Sequence, residues 1–320
     1  MHELPPLLLA GLLYLGAGLG ITLYRLVVPR RNEAALRRAD LWRLGAVAVS
    51  GGMLGPVLML IGLRRLSGVE ASLLLNLEAP LTILLSLALF QEHLGRQAAL
   101  GSLLIFSGGA LLSWQGLDSV GDRLGVLCLV GACACWAFDN KLTQRLSLKD
   151  PFAIVRVKAL CAGLVNTSLG LVSTGRVELR LSHVSLALLL GSISYGLSVV
   201  LDAYALRLLG AAREAAYFAT APFVGALLSV LLLDEPLQLQ AAVAGGLMAA
   251  GVLCLLHERH AHTHVHDALH HEHAHVHDEH HQHAHPAGTP LHEPHVHPHE
   301  HSRLVHEHPH VSDEHHRHKH

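Results

Sequence analysis

Over residues 1–256 apolar positions come in runs of about 20, separated by short stretches that gather most of the charge. A helix needs roughly 20 apolar residues to cross a bilayer, so each run is long enough to span one. The pattern predicts nine spans, at about 6–28, 41–63, 69–90, 97–114, 122–140, 152–173, 183–205, 211–233 and 238–256. The fold class it implies is all-α: a polytopic helical bundle in a membrane. The N-terminus lacks the basic start and small-residue cleavage site of a signal peptide, so residues 6–28 are read as a spanning helix.

The run Val69–Phe90 departs most from a plain apolar span, because Glu78 and Pro80 sit near its middle. A carboxylate at that depth costs roughly 2.5–3.5 kcal/mol on insertion scales and should face protein or a water-filled cavity. Glu78, Thr82 and Ser86 recur every four residues, so a helix places them on one face. Pro80 cannot donate to the carbonyl of Asn76, which predicts a kink there. The stripe reads as the lining of a substrate pathway; the alternative is a Glu that only holds helices together. Asn76 lies on another face and divides evenly between a helix–helix bond and a substrate contact.

The two halves repeat. Arg65–Leu81 aligns without gaps with Arg207–Phe223, matching Pro80 to Pro222, Gly68 to Gly210 and Glu78 to Thr220. Upstream, Asp150–Gly163 resembles Pro5–Gly18. Repeats of this kind are a transporter signature, and an odd number of helices per half makes the repeat inverted. The second half has five spans and the first has four, the unmatched one being Gly121–Asn140. The organisation expected is a first repeat at 1–115, a second at 121–256 and a tail at 257–320. A ten-helix protein whose start lies upstream of Met1 is favoured over a nine-helix one.

Lysine and arginine set the orientation. Arg25, Arg30, Arg31, Arg37, Arg38 and Arg43 fall in or beside the first loop, with Arg96, Lys141, Arg145, Lys149, Arg207 and Arg213 on the same side. Arg64, Arg65, Arg123, Arg176 and Arg180 fall opposite. The richer side is expected to be cytoplasmic, which leaves the N-terminus outside and the tail inside.

Composition changes the picture only at the end of the chain. The protein is 51% hydrophobic with mean hydropathy +0.38, but of its 29 histidines all except His2, His93 and His183 follow Leu256. The tail repeats H-x-H, notably at His260, His262, His264 and His266, at His271, His273, His275 and His277, and at His281, His283 and His285. Neutral imidazoles suit Zn, Ni, Co and Cu(II), and Asp267, Glu272, Asp278 and Glu279 could add oxygen ligands. Lacking apolar periodicity, the tail is expected to be disordered when empty and to hold metal loosely, releasing it as imidazoles protonate near pH 6. No cofactor is otherwise required. The five cysteines all lie in apolar segments and suggest packing, not a disulfide framework.

Other intramembrane polar groups are few. Asp139, Asn140 and Lys141 are expected to end the fifth span, with Asp139 paired to Lys141 or Arg145 as an interfacial cluster or a gate. Lys158, a third of the way along the sixth span, is expected to snorkel or to meet Glu78 or Asp202. Glu70 and Glu214, near helix starts, read as structural charges on the helix dipole. Trp114 and Trp136 read as interfacial anchors.

The segments Leu73–Thr82, Phe90–Leu94 and Cys135–Pro151 resemble the EamA-type branch of the drug/metabolite transporter superfamily. The resemblance covers residues 6–256. It implies a ten-helix bundle of two inverted five-helix repeats, a bacterial inner-membrane setting and alternating-access transport of a small solute. The chain departs from it by lacking the first helix. No Walker-type loop appears, and no enzyme or nucleic-acid binding is indicated. The expected substrate pathway comprises Glu78, Asn76, Pro80, Thr82, Thr220, Pro222, Lys158 and Asp139. The expected partners are membrane lipid and a small solute or metal ion, with a homodimer as an open option. The functional reading is a secondary transporter with a metal-binding tail, its cargo a transition metal (Ni, Co or Zn). Two alternatives stand beside it: a metabolite or drug exporter with a metal-responsive tail, and a membrane-anchored metal buffer.

Overall fold

A computed structural model describes residues 4–28, 33–90, 95–115, 120–146, 149–174, 180–209 and 211–257, and the backbone of 260–266, 269–275, 295–301 and 304–310. Up to Leu256 the fold is an all-α polytopic membrane bundle. Among the described residues nine helices are long and apolar enough to cross a membrane: Pro6–Val27, Arg38–Leu63, Gly68–Ala88, Arg96–Trp114, Arg123–Leu146, Pro151–Ser173, Leu181–Leu209, Arg213–Leu232 and Leu239–Leu256.

Most ends lie within a few residues of those expected. The fifth span does not stop at Asn140 but continues to Leu146. Leu142 and Leu146 bury against Leu44, Val47 and Ile154, so the apolar packing of this helix extends past its charged triplet. The sixth span starts at a local signal: Asp150 precedes Pro151, and its carboxylate accepts the N–H of Phe152 at 2.9 Å.

Three of the four pairs of spans that the sequence repeat equates pack against each other. The first crosses the sixth, the third crosses the eighth and the fourth crosses the ninth. Small residues allow the approach: a Cβ on Gly101 would lie 2.7 Å from the Gly251 carbonyl oxygen, and one on Gly225 would lie 2.8 Å from Ser72 Oγ.

The equated spans are also interrupted alike. In the third, a helix Gly68–Leu74 gives way to a 3-10 turn Leu75–Leu77 and then to Glu78–Phe90. In the eighth, Ala211–Phe218 ends in a turn at 219–220 and resumes as Ala221–Leu232. Pro80 and Pro222 each stand just inside the resumed helix, where the missing N–H leaves the carbonyls of Asn76 and Phe218 without their usual partners. The second and seventh spans each widen into a π turn, Ala48–Leu54 and Gly191–Gly196.

The fifth span packs against the second and third. Leu197, Leu201, Leu228 and Leu231 of the seventh and eighth spans are exposed.

Beyond Leu256 the backbone of His260–His266 pairs antiparallel with Leu304–His310, and that of Leu269–His275 with His295–His301. The tail side chains lie outside the described residues, as do His277, His281, His283 and His285 altogether, so the expected metal ligands carry no geometry.

Candidate functional site

The break in the third span delivers Glu78 to the bundle interior. Glu78 opens the resumed helix and is buried, and Asn140 of the fifth span donates to its Oε1 at 2.8 Å. Thr82 and Ser86 share its face, as expected, but their hydroxyls turn back onto their own helix. Thr82 donates to the Glu78 carbonyl and Ser86 to the Thr82 carbonyl, each at 2.9 Å. Of this stripe, Glu78 is the member bonded to another span. Asn76 is fully buried and donates to the Leu73 carbonyl at 3.2 Å, a local bond in place of the interhelical one considered for it. Pro80 and Pro222 are buried. Thr220, the repeat counterpart of Glu78, is exposed and donates to the Tyr217 carbonyl, apart from this cluster.

Asp139 and Lys158 form a buried ion pair between the fifth and sixth spans. Both partners differ from those expected. Asp139 pairs with neither Lys141 nor Arg145, and Lys158 bonds to Asp139 where Glu78 or Asp202 was foreseen. The physical reason is the longer fifth span. Asp139 stands seven residues before Leu146 and Lys158 seven after Pro151, so an antiparallel pair of helices brings them level. The cluster Asp139, Asn140 and Lys141 is therefore intramembrane and buried, not interfacial.

The ion pair lies against the π turn of the second span. A Cβ on Gly51 would fall 2.3 Å from Asp139 Oδ2, so only glycine admits the carboxylate there. A π turn displaces carbonyls from the regular ladder, and such turns recur at functional sites. Three other spans supply donors to these carbonyls. Tyr14 Oη and Trp136 Nε1 donate to the Gly51 oxygen at 2.8 and 3.3 Å, and Asn166 Nδ2 reaches the Gly52 and Met53 oxygens at 3.4 and 3.3 Å. Trp136 thus lies within the bundle, not at the interface. Trp114, in contrast, is 80% exposed, as an anchor would be.

Two further carboxyls complete the polar interior. Asp202 lies on the seventh span, and Glu214 lies in the first turn of Ala211–Phe218. Glu214 is buried, and its Oε2 has no hydrogen-bond partner. It therefore differs from Glu70, which behaves as a helix-start charge should, closing an exposed capping box with Ser67. The ring of Tyr195, from the seventh-span π turn, packs edge-on against Tyr14 at 5.4 Å. Sequence reasoning gave no site role to Tyr14, Trp136, Asn140, Asn166 or Glu214. The signal available was the rarity of polar side chains inside apolar runs.

The bundle is tied at both ends. At the arginine-rich end Arg25 makes a two-pronged bond to Asp150 at 2.7 and 2.8 Å while lying over the Phe152 ring, and Phe152 stacks on Tyr24. Arg207 makes a second fork to Glu33, both arms at 3.2 Å, and donates to the Lys149 carbonyl. At the other end Glu235 accepts the N–H groups of Gly68 and Val69 at 2.8 and 2.9 Å, covering the start of the third span. Among the described residues no group of three His, Cys, Asp or Glu side chains is placed to hold a metal ion.

This arrangement, broken and π-distorted helices around paired intramembrane charges, is what solute carriers use at mid-membrane. Comparison with known proteins agrees. An uncharacterized transporter of Methanothermobacter thermautotrophicus is 32% identical over 229 residues, covering 70% of this chain and 67% of that protein. A solved crystal structure superposes with a TM-score of 0.61 at 19% identity, over 79% of this chain and 89% of the other, which supports the fold. Residues 1–114 and 123–257 both match the EamA-like transporter family, and the chain belongs to that family of membrane transporters.

Proposed function

We propose that the protein is a secondary transporter that moves a small solute across a bacterial cytoplasmic membrane by alternating access, with Glu78, Asn140, Asp139 and Lys158 lining the route. The observation that carries this reading is the placement of Glu78 at the break in the third span, bonded to Asn140 beside the Asp139–Lys158 pair. Intramembrane charges of this kind are kept at a cost and mark pathways. Alternating access asks for closures that exchange. The Arg25–Asp150 and Arg207–Glu33 forks suit one side, and the Glu235 cap suits the other. With the arginine-rich side cytoplasmic, the tail is cytoplasmic too.

The tail binds transition metals through its H-x-H repeats, and it either feeds the carrier or regulates it. An organic solute fits the membrane part better than a metal ion, because the paired charges are Lys and carboxylates and no metal-ligand trio forms among the described residues. The test is the Ni, Co and Zn content, and the metabolite content, of a host expressing the full chain, Glu78→Ala, or a version stopped after Leu256. Metabolite changes that depend on Glu78 and survive loss of the tail support this reading. Metal changes that vanish with the tail and ignore Glu78 would reduce the protein to a membrane-anchored metal buffer.

A further inference from the structure

We infer that Arg64 and Arg207 are a pair of latches, one at each end of the bundle, built alike by the internal repeat, and that each membrane face opens when its own arginine lets go. This rests on the transport reading above and adds the residues that gate it.

The sixth span begins as the first does, since Asp150–Gly163 matches Pro5–Gly18. The carbonyls of Pro5 and Asp150 accept the N–H groups of Leu9 and Ile154, at 2.9 and 3.1 Å, and so open the two helical ladders. The carbonyls of Leu4 and Lys149 lie one residue outside those ladders, at the same place in each repeat. An arginine takes each of them. Arg64, just past the second span, donates to the Leu4 carbonyl. Arg207, in the last turn of the seventh span, donates to the Lys149 carbonyl at 2.6 Å. The repeat equates the second span with the seventh, and Arg64 stands beside Arg65, the match of Arg207. The two bonds therefore join corresponding spans, second to first and seventh to sixth, at opposite ends of the bundle.

The spans that carry the arginines are the two that widen into π turns. Arg64 lies ten residues past Leu54, the end of one turn, and Arg207 eleven past Gly196, the end of the other. A helix bends at such a turn, so the end bearing the arginine can swing while the other half stays packed. At the arginine-rich end the same side chain also holds a strap. Arg207 forks to Glu33 with both arms at 3.2 Å, and the adjacent Ala34 forms a parallel bridge with Lys149 while its carbonyl accepts the Asp150 N–H at 3.0 Å. Both latches are made in this structure. A carrier that released both together would be a channel, so holding one accompanies release of the other.

The experiment uses the full chain with Cys133 as its one cysteine, in membrane vesicles of either orientation. Cys133 is fully buried at mid-span, its Sγ 3.8 and 3.7 Å from the Leu74 and Leu75 carbonyls at the break of the third span. A membrane-impermeant maleimide is added from one side at a time. A hydrogen bond to a charged group shifts a two-state balance by roughly tenfold to a hundredfold, and labelling should quicken by that factor. Arg64→Gln is expected to raise the rate from one face only, and Arg207→Gln from the opposite face only. Arg180→Gln, which removes a charge at the Arg64 end, leaves both rates as they were. Circular dichroism and size-exclusion elution check that each variant is folded. Where a glutamine variant does not fold, Arg64→Lys or Glu33→Gln takes its place, one trading the planar donor for a single amine and the other removing the counter-charge of Arg207. If these unfold as well, the arginines serve the fold and the proposal fails. Unchanged labelling, or labelling that quickens from the same face in both variants, overturns it. Side-specific labelling without any solute flux would uphold the latches and remove the transport reading. Flux that depends on Glu78, with labelling unchanged, would do the reverse.

Discussion

Lys158→Met is the sharpest test of how the interior is held together. Lys158 and Asp139 have side chains only 6% and 5% exposed, so water screens the pair little. Methionine keeps most of the lysine stem and removes the charge, leaving Asp139 buried without its cation. Breaking one side of a buried pair typically costs about 3–5 kcal/mol. At roughly 1.4 kcal/mol per tenfold, that lowers the folded-to-unfolded ratio by between about a hundredfold and a few thousandfold. Using roughly 2–4 °C per kcal/mol for a chain of this size, thermal unfolding in detergent should fall by about 6–20 °C. The double variant Lys158→Met with Asp139→Leu should recover most of the loss, because a matched apolar pair is often as stable as the ion pair it replaces. The assay is the melting temperature by size-exclusion of heated samples, for wild type, both single variants and the double. A Lys158→Met protein that melts with wild type, or a double variant worse than either single, would refute the reasoning. If the double variant is stable yet moves no solute, the pair is present for function and not for the fold.

Three further outcomes follow from the geometry. Gly51→Ala places a Cβ 2.3 Å from Asp139 Oδ2; overpacking of this kind costs about 1–3 kcal/mol, read as a lower melting temperature, and an unchanged one would mean the π turn relaxes freely. Replacing Arg25 and Arg207 together by Ala removes both forks at the arginine-rich end. Cys133, fully buried in the closed bundle, should then react faster with a maleimide in a background that keeps it as the one cysteine, and an unchanged rate would deny those forks a closing role. Stopping the chain after Leu256 should abolish retention on immobilised Ni, while the full chain should release the metal as the pH falls through about 6.5, where imidazoles take up protons. Retention by the shortened chain would place the metal in the membrane part.

The fold was legible because lipid leaves the sequence few choices. Each apolar run must be a helix, so the count and approximate bounds of the spans follow from hydropathy alone. The alignment of Pro80 with Pro222 went further, since proline marks the same backbone defect in both halves, and both spans break there. The π turns in the second and seventh spans left a fainter trace. Glycines at 51, 52, 191 and 196 are equally consistent with simple close packing, and nothing in hydropathy separates the two. For the tail the sequence offers ligand chemistry alone: its imidazoles are of the type that suits transition metals, and they carry no apolar period to fix a fold.

The partners inside the bundle were harder to read, and the cause can be located. Asp139, Asn140 and Lys141 look like the polar end of a span, because three such residues in a row ordinarily mark the interface. The apolar side chains that extend the helix, Leu142 and Leu146, are separated by more polar ones and do not raise the local hydropathy. Placing the end at Asn140 put Asp139 at the membrane surface and left Lys158 to look elsewhere for its counter-charge. Starting instead from the turn at Asp150–Pro151 and counting equal distances along both helices would have paired them, since antiparallel neighbours are level at equal distance from their loop. The same count, applied to the end of the seventh span and the start of the eighth, sets Asp202 seven residues before Leu209 and Glu214 three after Ala211. Their backbones then differ in depth by about 6 Å, at 1.5 Å per residue. The two carboxyls are therefore not level as Asp139 and Lys158 are, because they stand at unequal distances from their helix ends.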